Sequence, residues 1–524
     1  MPRPAVPRAI SQLLFALVIV SCAYFVQGAG PNQNSRYGLV RALVEDHTVK
    51  IDAYQTTTHD ISTGGGHWYC DKAPGLSLVA AVPYALGVRL AQPDGAEPSG
   101  LPIHFLTLAT CSLATAIAAV LLLHVLVDLG LGLGVSLLAV VAWILGTNAF
   151  AYAGLFVAHQ FVAALAVVAL AAIRAAERAQ GAEDAEDAED AEDAEGAKNA
   201  EGAKGIRRRS WRLVFGAGLA AGLAVISEFP VALIAGAIGI YALVTLGVRR
   251  TVPYALGALI PAAVLAAYNT ACFGGPLHLG YQSLANQYFA AGVRAGILGF
   301  GAPKLEVMGE LTIFEYRGLL PLSPFLVLAV PGVYWMLRDR TWRRLGVLCA
   351  AVVLGLVTLI SGFQFWNGGA AMGPRHLVPV LPFLIIPVAV AIDRACHIAP
   401  RIALPVAAAL VGVSIAICTA CVAVQPEFFD VQARQQPAPE VAIPSREHPI
   451  TQFVFPMLAH GHVSTKATWS GNLSYTTWTH GREDDAYNLG ELIGLSGISS
   501  LLPLLVVWLG FGAALVRQLR RAPR

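Results

Sequence analysis

Twelve apolar segments, each long enough to cross a hydrocarbon layer about 30 Å thick, punctuate this chain. They fall near residues 10–28, 103–126, 132–149, 157–177, 212–227, 229–247, 252–272, 319–337, 344–362, 376–393, 402–423 and 498–516. Charged residues make up only 13% of the 524 positions, against about 25% in an ordinary soluble chain. The sequence is therefore read as an all-α polytopic membrane protein with about 12 transmembrane helices (11–13). Arg3 and Arg8 ahead of an apolar run to Gln27 resemble a signal peptide, but the run is long enough to span and more helices follow, so it is read as the first span.

Loop charge orients the chain. The stretch 75–92 is apolar, short, and carries Pro83 and Arg89. If it lies on the membrane surface, the basic clusters at the N-terminus, Arg174 to Arg212, Arg249-Arg250, Arg338 to Arg344, Arg394 to Arg401 and Arg517 to Arg524 share one side. That is the pattern of cytoplasmic loops. Both termini are then cytoplasmic in a cell (inner or plasma) membrane. Residues 29–102, 273–318, 363–375 and 424–497 face outward, with the turns 147–158 and 227–230, and juxtamembrane helices are expected in the first outer segment. The Ala-Glu-Asp repeats of 179–205 have nothing to pack against and read as a disordered cytoplasmic linker. The net charge of +2 gives no reason to expect a nucleic-acid partner. The eight cysteines lack zinc-ligand spacing and read as small hydrophobes. Asn472-Leu473-Ser474 fits a glycosylation acceptor.

Chemistry-bearing residues gather in the outward segments. His67-Trp68-Tyr69-Cys70-Asp71-Lys72 follows a glycine triplet and opens an apolar run. It offers a cation for a phosphate, rings to stack on, and apolar surface for a lipid tail. An interfacial belt, with Trp and Tyr at headgroup level and a snorkelling lysine, fits these residues alone equally well. The first segment adds Gln33, Asn34, Arg36, Tyr37 and Asp60; the third adds Trp366 and Arg375 beside several glycines. Arg317 ends the second segment as a further cation. His159 and Glu228 stand at outer ends of apolar runs, where an ionisable residue is a functional candidate. There is no Walker loop, dinucleotide fingerprint or HExxH, so no soluble nucleotide cofactor is indicated. A divalent metal ion is compatible with the chain, but the sequence shows no ligand cluster for one.

These features together resemble the GT-C superfamily of membrane glycosyltransferases, nearest to the protein mannosyltransferase and lipid A aminoarabinose transferase group. The resemblance covers most of residues 10–395, the expected catalytic module; residues 396–524 form C-terminal helices with the outer loop 424–497. Asn32-Gln33-Asn34-Ser35-Arg36-Tyr37 stands where the family has an acid followed by Arg-Tyr. Asp71-Lys72-Ala73-Pro74-Gly75-Leu76 matches its Glu-Lys-Pro-Pro-Leu stretch. Gly222-Leu223-Ala224 and Ser227-Glu228-Phe229-Pro230 echo a later motif, with Glu228 in place of a lysine. Both family acids are missing: Gln33 or Asn34 replaces the first, and His159 the second.

The resemblance implies transfer of a sugar from a polyprenyl-phosphate donor, on the outer face, to a lipid, glycan or protein acceptor. Lys72 would contact the donor phosphate, with Arg375 and Arg317 as further cations. Trp68, Tyr69 and Trp366 would stack on sugar or lipid, and Asp60, Asp71 or His159 would serve as base. The competing reading is a non-catalytic lipid-linked-sugar binding protein, or a transporter or flippase. Convergence of Asp60, Asp71 and His159 on Lys72 would favour the enzyme.

Overall fold

The computed structural model describes residues 6–27, 30–87, 100–190, 196–369, 371–424, 449–459 and 487–522. Arg89, Asn472 and most of the outer loop 424–497 lie outside them. Among the described residues, eight helices are long and apolar enough to cross a membrane. They are α4 (Leu101–Asp128), α6 (Ala158–Asp190, apolar to Gly181), α8 (Phe229–Leu246), α9 (Val248–Phe273), α11 (Arg343–Ser361), α12 (Arg375–Ile398), α13 (Pro400–Val424) and α14 (Gly497–Arg521). This is a multi-pass membrane protein, because a helix keeps all its backbone hydrogen bonds within one segment in lipid.

The four other expected spans take different forms. α1 (Arg8–Ala23) has 16 residues and α5 (Leu133–Leu145) has 13. The run 319–337 is broken into Leu319–Leu322 and α10 (Pro324–Arg338), because Pro324 has no amide to continue the first helix. The run 212–227 is the end of α7 (Gly196–Val225). Around the stretch expected as a linker, α6 runs on to Asp190 and α7 begins at Gly196, as alanine and glutamate favour; residues 191–195 lie outside the described residues. α3 (Gly75–Leu86) has 12 residues, about 18 Å at 1.5 Å per residue. It is too short to span, as a juxtamembrane helix must be.

One hydrophobic core runs through the bundle and includes both Ile10 and Leu515, so residues on either side of 395 share it. α12 packs against α5, α10, α11 and α13, α4 against α1 and α6, and α7 against α6 and α9. The C-terminal part closes on the N-terminal part: β1 (Phe25–Val26) pairs with β4 (Tyr487–Asn488), and α14 packs on α1.

The segment between α1 and α4 lies against this bundle. α2 (Pro31–Val44) starts at a proline in its first turn, where the missing amide costs nothing. A hairpin, β2 (Ile61–Gly64) and β3 (His67–Cys70), turns through Gly65 and Gly66, both at positive φ. α3 is pinned at its start, where the Gly75 amide donates to the Ile226 carbonyl at 2.8 Å. The contact needs glycine: a Cβ there would lie 2.3 Å from Ser227 Oγ and 2.9 Å from the Ile226 backbone. Gly75→Val is expected to destabilise the protein by about 1–3 kcal/mol and to move α3 off the Ser227-Glu228 corner. Thermal unfolding in detergent reads the first effect, and cross-linking between introduced cysteines the second.

Candidate functional site

Two clusters of ionisable groups meet where α2, the hairpin, the start of α3 and the 226–228 corner converge. The first is centred on Lys72. The hairpin register pairs Ile61 with Cys70, so the flanking residues Asp60 and Asp71 come together at its open end. Lys72 Nζ stands between them, 3.0 Å from Asp60 Oδ2 and 2.9 Å from Asp71 Oδ2. Ser35 on α2 donates to the Asp60 carbonyl and fixes the strand end. Burial pushes the Asp71 carboxyl up to about 6, with Asp60 adding to the effect and Lys72 opposing it. Burial works against the Lys72 ammonium, but the Asp60 and Asp71 carboxylates outweigh it and hold its pKa above the usual value. Asp71 Oδ1 is buried and has no hydrogen-bond partner among the described residues.

The second cluster is centred on Glu228. Arg36, with 1% of its side chain exposed, places Nη2 3.9 Å from Glu228 Oε2. Its Nη1 donates to the Ala73 carbonyl at 3.1 Å and its Nε to Asn32 Oδ1 at 3.1 Å. Arg36 therefore ties the loop after Lys72 to the Glu228 corner. His159, at the start of α6, points Nδ1 at the same Glu228 oxygen from 4.0 Å. Its ring packs edge-on against His376 at 5.4 Å and Tyr152 at 5.7 Å. One donor atom each from His159, Glu228 and His376 lie within 4.8 Å of one another. Burial raises the Glu228 pKa, opposed by the positive charges of Arg36, Arg375 and Lys72.

The 363–376 loop brings Arg375 and His376. Gly368 has a φ of +75°, and a Cβ there would come within 2.9 Å of Arg375 Cγ, so glycine is what lets the turn close over the arginine. Tyr281 arrives from the second outward segment, which is held to the hairpin by Ser62 Oγ donating to the Gly280 carbonyl at 2.7 Å. Its ring packs edge-on against Phe229, the residue after Glu228, at 5.9 Å, and burial raises the pKa of its hydroxyl.

The remaining sequence candidates are placed as follows. Gln33 and Asn34 are buried on α2, and Asn34 Nδ2 donates to the Thr57 carbonyl at 2.8 Å. Tyr37 packs edge-on against Tyr84 at 5.7 Å, on the side toward α3. His67 sits on the hairpin rim, 2.7 Å from Asp52 and 3.0 Å from Lys50. Trp68 and Tyr69 belong to a small apolar cluster with Leu39, Tyr54 and Cys272, and Tyr69 packs against Phe273 at 5.4 Å. Arg317 is buried and donates to the Gly369 carbonyl at 2.6 Å and to the Ala371 carbonyl, clamping the Arg375 loop. Trp366 packs on Tyr316 at 6.1 Å. The structure adds His376 and Tyr281 to the sequence candidates. His376 adjoins Arg375, which was a pointer to it; nothing local to Tyr281 marked it.

The fold is similar to that of ArnT from Cupriavidus metallidurans bound to undecaprenyl phosphate: identity is 14% and TM-score 0.47 over 79% of this chain and 65% of that one. It is also similar to the archaeal oligosaccharyltransferase AglB from Archaeoglobus fulgidus, in complex with an inhibitory peptide and a dolichol-phosphate, at 12% identity and TM-score 0.44 over 78% and 55% of the two chains. The chain thus spans less than two thirds of the length of either. No protein-family model and no curated protein matches the sequence.

Proposed function

We propose that this chain transfers a sugar from a polyprenyl-phosphate donor to a lipid, glycan or protein acceptor on the outer face of the cell membrane. One observation carries the reading: Lys72 is held between the Asp60 and Asp71 carboxylates at the start of an apolar helix, and Arg36, 3.9 Å from Glu228, ties the loop that follows it to the Glu228 corner. Cations gathered so close to lipid suit an anionic headgroup with an apolar tail. α3, which begins just after Lys72, exposes Val82 and Leu86 as apolar surface for that tail.

The chemistry then runs as follows. The donor phosphate takes over one side of Lys72 and releases a carboxylate from it. The acceptor hydroxyl attacks the anomeric carbon as its proton passes to that carboxylate. The bond from this carbon to the phosphate oxygen breaks, and its electron pair leaves with the polyprenyl phosphate. Arg36, Arg375 and Lys72 stabilise the negative charge that grows on the leaving oxygen. Asp71 is assigned as the base, because burial pushes its carboxyl up to about 6 and its Oδ1 has no hydrogen-bond partner among the described residues.

The test is transfer by the purified, membrane-reconstituted protein from a panel of polyprenyl-phosphate sugars, read as release of polyprenyl phosphate. Binding of these donors without any release would favour the non-catalytic alternative. A base must be ionised to accept a proton, so the rate should fall as pH drops through about 6. Asp71→Asn should remove that limb with most of the activity, whereas Asp60→Asn should keep it. The reverse pattern would move the role to Asp60.

A further inference from the structure

The geometry points to a divalent transition-metal site formed by His159, Glu228 and His376, of the kind that takes Zn²⁺. Two imidazoles and one carboxylate, from α6, the 226–228 corner and α12, are a borderline-soft donor set that leaves a coordination position open. Their donor atoms lie within 4.8 Å of one another. Zinc bonds of about 2.0–2.1 Å put tetrahedral donors roughly 3.3 Å apart, so the 4.0 Å between His159 Nδ1 and Glu228 Oε2 has less than an ångström to close.

The second, independent observation is that the ring nitrogens are bare. His159 is 4% exposed, and its Nδ1 has no hydrogen-bond partner among the described residues. Among the described residues His376 Nε2 has none either. A neutral imidazole can present a lone pair to a metal at such a nitrogen. A buried acceptor without a donor is costly, and two around one carboxylate call for a shared partner.

Charge says what the open position takes. Arg36, 3.9 Å from Glu228 Oε2, and Arg375, next to His376 in the chain, oppose a bare dication. An anion seated between metal and guanidinium groups removes that opposition, so metal and phosphate should bind cooperatively. That part rests on the proposed lipid-phosphate substrate; the three-ligand site does not. The metal would add positive charge where the leaving phosphate gains its second negative charge.

The test uses full-length protein purified without a polyhistidine tag, stripped with EDTA and titrated with Zn²⁺, alone and with farnesyl phosphate. Bound metal is counted by inductively coupled plasma mass spectrometry. Wild type should hold about one ion per chain, bound at least about tenfold more tightly with farnesyl phosphate. Glu228→Gln and His376→Ala should each weaken binding by at least about tenfold. His376→Cys loaded with Co²⁺ should show thiolate-to-cobalt charge-transfer absorption, a signature that misfolding does not produce. Zn²⁺ binding that is absent from wild type, or unchanged in both variants, overturns the site, as does a cysteine variant that binds Co²⁺ without that band. Zinc bound as described, with no polyprenyl-phosphate sugar turned over, leaves the site standing and removes the transferase reading instead.

Discussion

Lys72→Met is expected to abolish transfer and to weaken the fold, and adding Asp60→Asn is expected to restore the fold but not the transfer. The ammonium lies within 3.0 Å of two carboxylates. The side chains of Lys72, Asp60 and Asp71 are 13%, 15% and 5% exposed, so water screens them little. Removing one partner of a buried ion pair strands the other and costs about 3–5 kcal/mol. Here two carboxylates are left facing each other. That is a large part of a typical total stability of about 5–15 kcal/mol. The loss should grow with pH, because the stranded carboxylates can escape repulsion only by protonation, and Asp71 already leans that way.

Asp60→Asn returns the site to its original net charge, so most of the lost stability should come back in thermal unfolding. Transfer should stay at least about 100-fold down, the size of losing one preorganised charge on a developing anion. Equal recovery of both properties in the double variant would reduce Lys72 to a structural counter-ion and remove the premise of the proposed chemistry.

The spans were legible because burial in lipid leaves a continuous apolar run that no local rule disguises. Legibility fails where helices depart from one run per crossing. Pro324 breaks 319–337, and α1 and α5 are short. The Lys72 cluster was partly legible. Asp71 is its neighbour in sequence, and Gly64-Gly65-Gly66 marks the turn of a hairpin, but only the register Ile61 to Cys70 shows that Asp60 meets them. The Glu228 cluster could not be read in the same way. His159 and His376 stand on helices more than 200 residues apart, brought together because α6 packs across the start of α12. Such contacts follow from helix packing and leave no spacing in the sequence.

Arg36→Lys is expected to leave a folded protein that transfers about 100- to 1000-fold more slowly, the range for loss of one donor aimed at developing charge. The position tests shape apart from charge. The guanidinium reaches three partners in three directions: Asn32 Oδ1, the Ala73 carbonyl and Glu228 Oε2. A lysine keeps the positive charge beside Glu228, so the carboxylate is not stranded and unfolding should shift by only a few degrees. It cannot hold the Ala73 carbonyl and Glu228 at once, because its donors radiate from one nitrogen where those of arginine form a wide planar fork. The loop carrying Lys72 then loses its tie to the Glu228 corner, and the cations no longer converge on one phosphate oxygen. Because the charge they answer to peaks in the transition state, kcat should fall much more than KM rises. A rise in KM alone would make Arg36 a handle for the bound donor with no part in the bond-breaking step. Wild-type rates in Arg36→Lys would mean that positive charge near Glu228 is enough, and that the link between the two clusters has no role in transfer.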